Sequence, residues 1–97
     1  MTYVIKYLKL AQDDVKEIRE YLSQFYQGTA PSFMSDLRTH VNRLKETPLM
    51  CEQYRDDAYY RKMVIRDYLV FYHVDDERHA VEIHRILNGS RNVKRYL

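Results

Sequence analysis

The sequence predicts an α+β domain spanning residues 1–97: an opening strand, an antiparallel helical hairpin, and a small twisted, mainly antiparallel sheet with the helices on one face. Three observations carry that reading. Residues 59–97 hold two runs rich in β-branched and aromatic residues, Tyr60–Ile65 and Tyr68–Val74, and a third, Ala80–Leu87. The breaks between them, Arg66-Asp67 and then Asp75 to His79, have hairpin lengths and give an antiparallel meander. Upstream, two apolar series recur at helical spacing, with Gly28 and Pro31 between them.

The elements follow in order. Tyr3 to Leu8 reads as a short strand, and Asp13-Asp14 as acids favoured by the positive end of a helix. Ala11, Val15, Ile18, Leu22 and Phe25 recur at steps of 4, 3, 4 and 3, which is one helical stripe, and Gly28 falls where a helix C-cap belongs. Pro31 is tolerated in the first turn of a second helix, whose stripe is Phe33, Leu37, Val41 and Leu44 and whose end is marked by Thr47-Pro48. Pro48 to Ala58 reads as a polar loop with a short strand around Gln53–Arg55. The order is β-α-α-β-β-β, with the helices covering one sheet face and the other left bare.

Composition narrows the class. At 97 residues with 45% hydrophobic content the chain can bury one core without staples, and its single cysteine, Cys51, forms no internal bridge, as in a reducing compartment. No apolar run approaches the roughly 18 residues of a membrane span, and MTYVIKYLKL lacks the form of a secretory signal. The cytoplasm is the expected location. His40, His73, His79 and His84 show no zinc-like spacing, and no phosphate loop or dinucleotide fingerprint occurs, so neither metal nor cofactor is expected.

Charge is uneven along the chain. Residues 1–57 hold eight Lys/Arg against nine Asp/Glu, whereas residues 58–97 hold eight against five, with no acid from His84 onward. A solvated face is the plainer explanation of such a bias; a surface for a polyanion or an acidic protein is the leading functional one. Strand alternation puts Arg61, Met63 and Ile65 on one side, and Leu69, Phe71 and His73 opposite Tyr68, Val70, Tyr72 and Val74. On the last strand it groups Val81, Ile83, Arg85 and Leu87, so that Arg85 interrupts an apolar series. A buried arginine pairs with a carboxylate or opens onto a cleft. Arg66, at a turn, is placed to reach the bare face. The ten tyrosines include Tyr60, Tyr68 and Tyr72 on strands, either as ordinary strand residues or as a base-stacking surface beside arginines.

Three patterns together resemble the RelE/ParE superfamily of small bacterial toxins from type II toxin–antitoxin, or plasmid stabilisation, modules. They are Ala11-x-x-Asp14-x-x-x-Ile18-x-x-Tyr21-Leu22, Tyr60-Arg61-x-x-x-x-Arg66-Asp67-Tyr68-x-x-x-Tyr72, and the closing Val81-x-Ile83-x-Arg85-Ile86-Leu87-Asn88-Gly89-x-Arg91-x-x-x-Arg95. The last is close to a ParE-type ending. The resemblance covers nearly the whole length and implies an antitoxin partner whose extended, helix-bearing tail wraps the toxin. RelE-like members are ribosome-dependent endoribonucleases that cut messenger RNA; ParE-like members share the fold, lack the nuclease set and poison DNA gyrase.

Carried over by position, the resemblance gives Arg66 the role of the arginine on the scissile phosphate, and Arg85 that of the last-strand arginine. Arg61 and Lys62 lie near the basic residues of the nuclease branch, Tyr96 near its tail tyrosine, and His84 stands in for its tail histidine. Glu52 and Lys62 are the only matches to the glutamate or lysines that branch carries before the sheet. Lys62, Arg91, Lys94 and Arg95 are the candidate target- or RNA-binding residues. The arginines would stabilise a phosphorane without a metal, yet no proton acceptor stands out. The ParE-like, non-enzymatic reading therefore leads. A messenger endoribonuclease and a non-toxic nucleic-acid- or protein-binding module are its alternatives, with a homodimer or a toxin–antitoxin hetero-oligomer as the assembly. The physical expectation common to the toxin readings is a cationic concavity in which Arg61, Arg66 and Arg85 gather on the bare sheet face.

Overall fold

The computed structural model describes residues 2–97. β1 (Val4–Tyr7) leads directly into α1 (Lys9–Leu22), followed by α2 (Thr29–Asn42), which tightens into a 3₁₀ turn over Arg43–Lys45. The meander is β2 (Arg61–Ile65), β3 (Tyr68–Asp75) and β4 (Ala80–Asn88), and a last 3₁₀ turn covers Val93–Arg95. The sheet order is β1-β4-β3-β2, with β1 parallel to β4 and the other pairs antiparallel. The predicted element order and the two helices on one face of a mixed sheet are both present.

The helical stripes do their work as read, with corrections at their ends. Ala11 and Ile18 of α1, with Phe33, Leu37, Val41 and then Leu44, pack on Met63, Ile65, Val70, Tyr72, Val81, Ile83 and Ile86 of the sheet. Fully burying each such aliphatic or aromatic side chain is worth about 2 kcal/mol. α1 stops at Leu22, so Phe25 lies in the connecting turn and is 55% exposed, against its place in the stripe. Asp13 and Asp14 lie inside α1, well past its first turn. Gly28 does not cap α1 but precedes α2, at φ 99°, where a side chain would be strained. Gln53 makes a single bridge to Arg61 in place of a strand.

The largest correction concerns β4. Arg85 pairs with Phe71, but Tyr72 pairs with Ile83, which leaves His84 as an extra residue, a β-bulge. The bulge flips the alternation. Val81, Ile83 and Ile86 face the helices, while Arg85 shares the opposite face with Phe71. That opposite face is not bare. Phe71 is completely buried there, beneath the rings of Tyr54 and Tyr60 at 5.1 and 6.5 Å.

The loop that covers it is anchored from the core side. Tyr72 Oη donates to the Pro48 carbonyl at 2.9 Å, and burial raises the pKa of that hydroxyl. Replacing Tyr72 by Phe removes the donor and leaves a buried carbonyl without its partner. We expect a loss of about 1 kcal/mol of stability by urea unfolding, with proteolysis of the segment 49–60 accelerated. Unchanged stability and unchanged cleavage would show that the anchor carries no load.

Candidate functional site

Arg66 occupies the β2–β3 turn at φ 54°, a left-handed backbone that costs a non-glycine residue about 1 kcal/mol. Its side chain is held on α2. Nε donates to Asp36 Oδ2 at 2.8 Å, Nη2 lies 2.6 Å from the same oxygen and donates to Ser32 Oγ at 2.8 Å, and the guanidinium sits 5.9 Å from the Phe33 ring centre. Arg61 is cross-strand from Tyr72 and therefore on the helix side, where Nη1 donates to the Cys51 carbonyl at 2.6 Å.

Arg85 leaves the sheet on the other face and turns around its edge. β1 pairs β4 only from Ala80 to Ile83, so beyond Ile83 the outer edge of β4 has no strand beside it. Asp14 of α1 fills that place. Its Oδ2 accepts from Ile86 N–H at 2.9 Å and from Arg85 Nε at 2.8 Å, and its Oδ1 accepts from Arg85 Nη2 at 2.9 Å. Both side chains are largely buried, and the hydrogen bonds Arg85 donates to Asp14 raise the pKa of its guanidinium. Arg85 Nη1 also donates to the Tyr96 carbonyl at 3.0 Å, with the Tyr96 ring 5.6 Å away.

The expected cationic concavity is thus not assembled. Arg61 and Arg85 leave opposite faces of the sheet, and Arg66 is bound to α2. What the fold does bring together is Arg85, Tyr96 and Arg91, the last 5.4 Å from the same ring and 3.9 Å from Glu17. A groove of about 270 Å³ runs beside them, lined by Asp14, Glu17, Tyr21, Tyr68, Asn88 and Arg91 among others. Lys94 lies 3.6 Å from Asp56, whereas Arg95 and Lys62 are in no ion pair among the described residues.

His84 sits in the bulge among tyrosines, its ring 5.2 Å from Tyr60 and its Nε2 3.5 Å from Glu82 Oε1. Tyr59 stacks on His73 at 3.8 Å with planes 3° apart, and its carbonyl lies 2.9 Å from His73 Nδ1. Sequence reasoning missed Asp14 as a functional partner. The signal was present: Asp14 comes three residues after Ala11 and four before Ile18, on the apolar face of the stripe.

With this geometry established, known proteins give the family. The family described as the ParE toxin of the type II toxin–antitoxin system, parDE, matches residues 5–93. The chain belongs to the RelE/ParE toxin superfamily. No curated protein matches it at a significant level. Among solved structures, the toxin is similar to a chain of the chromosomal ParDE system from P. aeruginosa, at TM-score 0.76 and 14% identity, covering 90% of this chain and 96% of that one. It is also similar to a variant of the E. coli toxin RelE in the free state, at TM-score 0.68 and 18% identity over the full length of both chains. A chain of the RelBE2 complex from Mycobacterium tuberculosis matches at TM-score 0.65 and 17% identity, covering 91% of the toxin and 99% of its counterpart. At these identities the likeness is one of fold.

The Asp14–Arg85 pair makes a direct prediction for this toxin. Asp14→Ala strands a buried guanidinium and the Ile86 N–H, and should cost about 3 kcal/mol or more in urea unfolding. Combining Asp14→Leu with Arg85→Met removes both charges at once and should cost less than the sum of Asp14→Leu and Arg85→Met made singly. Additive losses in that cycle would contradict the coupling.

Proposed function

We propose that this chain is the toxin of a ParE-like pair, stopping growth by binding an essential protein, DNA gyrase, and silenced by a cognate antitoxin. The observation that carries the reading is the bidentate seat of Arg85 on Asp14. A guanidinium that donates two N–H groups from one edge to a buried carboxylate is already neutralised and is poorly placed to take up charge developing on a phosphate. Arg66 is likewise occupied by Asp36, and Arg61 by a carbonyl on the other face. A nuclease needs these groups free and convergent. A binding toxin needs only a surface, and the tail supplies one in Arg91, Lys94 and Arg95, of which Arg95 has no acidic partner among the described residues.

Induction of the toxin should stall DNA synthesis before protein synthesis, with an SOS response. Arg66→Ala should keep its toxicity, deletion of Arg91–Leu97 should abolish toxicity while thermal unfolding stays cooperative, and co-expression of the small protein encoded beside it should restore growth. An immediate stop in protein synthesis, lost with Arg66→Ala or Lys62→Ala, would move the chain to the messenger-cutting branch instead.

A further inference from the structure

Asn88-Gly89 is the one asparagine–glycine step in the sequence; the other asparagines, Asn42 and Asn92, precede Arg43 and the β-branched Val93. The step ends β4 and opens the turn that leads to the tail. Two recesses meet at it. The groove beside α1 is lined at this end by Asn88, Ser90 and Arg91, and a recess of about 420 Å³ at the β2–β3 turn also reaches Asn88, Gly89 and Ser90. Gly89 and Ser90 are themselves exposed, so water has access to the turn.

The Asn88 side chain is held in a reactive arrangement. Its Oδ1 accepts from Ser90 N–H at 2.9 Å and from Ser90 Oγ–H at 2.7 Å. Two donors on one carbonyl oxygen draw electron density from Cγ, and they match the charge that grows on that oxygen when a nucleophile adds. The next nitrogen along the chain belongs to Gly89, where no side chain stands in the way. That nitrogen is restrained in the closed turn: Gly89 N–H donates to Asp67 O at 2.8 Å, and Arg91 N–H to Asn88 O at 3.1 Å. An exposed turn held by two backbone bonds opens locally without the sheet. The Ser90 bonds span only two residues and persist when it does.

We propose that Asn88 is a self-modification site, at which the folded chain converts asparagine to aspartate or isoaspartate with the help of Ser90. When the turn opens, the Gly89 nitrogen gives up its proton to water and bonds to Asn88 Cγ, while the Ser90 N–H and hydroxyl hold the oxyanion on Oδ1. The Cγ–Nδ2 bond then breaks and the nitrogen leaves as ammonia with a proton from water. Water opens the resulting five-membered imide at either carbonyl, giving aspartate or isoaspartate. Either product sets a new carboxylate at the foot of the tail, and isoaspartate also lengthens the backbone there by one carbon. Both disturb the placement of Arg91 against Glu17 and the Tyr96 ring. Loss of toxicity with age follows from the binding-toxin reading above; the modification itself does not rest on it.

The test incubates the purified full-length toxin at neutral pH and digests samples with trypsin, which cuts after Arg85 and Arg91 and releases the single peptide Ile86–Arg91. That peptide should gain the mass of an amide-to-acid exchange and split into two products, one of them a substrate for an isoaspartyl methyltransferase. Ser90→Ala should slow the conversion in the folded toxin about fivefold, the factor given by one neutral hydrogen bond of about 1 kcal/mol. In urea the two chains should convert at the same rate. Gly89→Ala should stop the reaction; a Cβ there meets Asp67 O at 3.4 Å, an ordinary contact that the fold accepts. The proposal is overturned by an unchanged mass in the folded toxin while the isolated six-residue peptide converts, by an equal rate for folded Ser90→Ala, or by conversion confined to Asn42 or Asn92. Growth arrest by freshly made toxin tests the functional reading separately, because the mass change is read without it.

Discussion

Asp14 is the constraint on which the arrangement of this molecule depends. A parallel strand that ends early leaves the central strand of the sheet with an unpaired edge, and β1 ends opposite Ile83 while β4 runs on to Asn88. One carboxylate on α1 takes the Ile86 N–H that a longer strand would have taken, and at the same time neutralises Arg85. A buried ion pair is often no more stabilising than apolar residues of the same shape. What this one adds is geometry: it fixes the rotation of α1 about its axis relative to β4 at a point where no backbone pairing could. It also decides where the tail goes, because the remaining arginine nitrogen holds the Tyr96 carbonyl.

The bulge at His84 is the second element of the same device. Without the extra residue, Arg85 would have followed Val81 and Ile83 into the apolar layer under the helices. With it, Ile86 takes the inward place and the guanidinium emerges at the edge, within reach of Asp14. Strict alternation along β4 therefore gave the wrong face from Arg85 onward, and of the two expectations for Arg85, a carboxylate partner or a cleft, the carboxylate is the one realised. Period-2 reasoning holds only while the ladder is regular, and nothing in Glu82-Ile83-His84-Arg85 marks the irregularity.

Other features were legible to different degrees for physical reasons. The strands, their hairpins and both helical stripes could be read because burial imposes a period on the sequence. Phe25 fitted the period yet lies in the turn after α1, which ends at Leu22, so the period ran on past the helix. Cover for the second sheet face could not be read at all. Tyr54, Tyr59 and Tyr60 belong to a segment with no period, and they reach Phe71 and His73 through the path of a loop that Tyr72 and Pro48 anchor.

Charge shows most clearly how folding rewrites a linear reading. The basic excess lies in residues 58–97, which made the tail and the last strands the natural place for a cationic surface. Folding spends much of that excess internally: Arg66, Arg85, Arg91 and Lys94 face Asp36, Asp14, Glu17 and Asp56, every one of them an acid from the first 57 residues. The consequence runs in both directions. Among the described residues Arg38 and Lys45 are in no ion pair, although residues 1–57, which carry them, are net acidic. Which bases are left without an acid is set by the fold, and no count along the chain can reveal it.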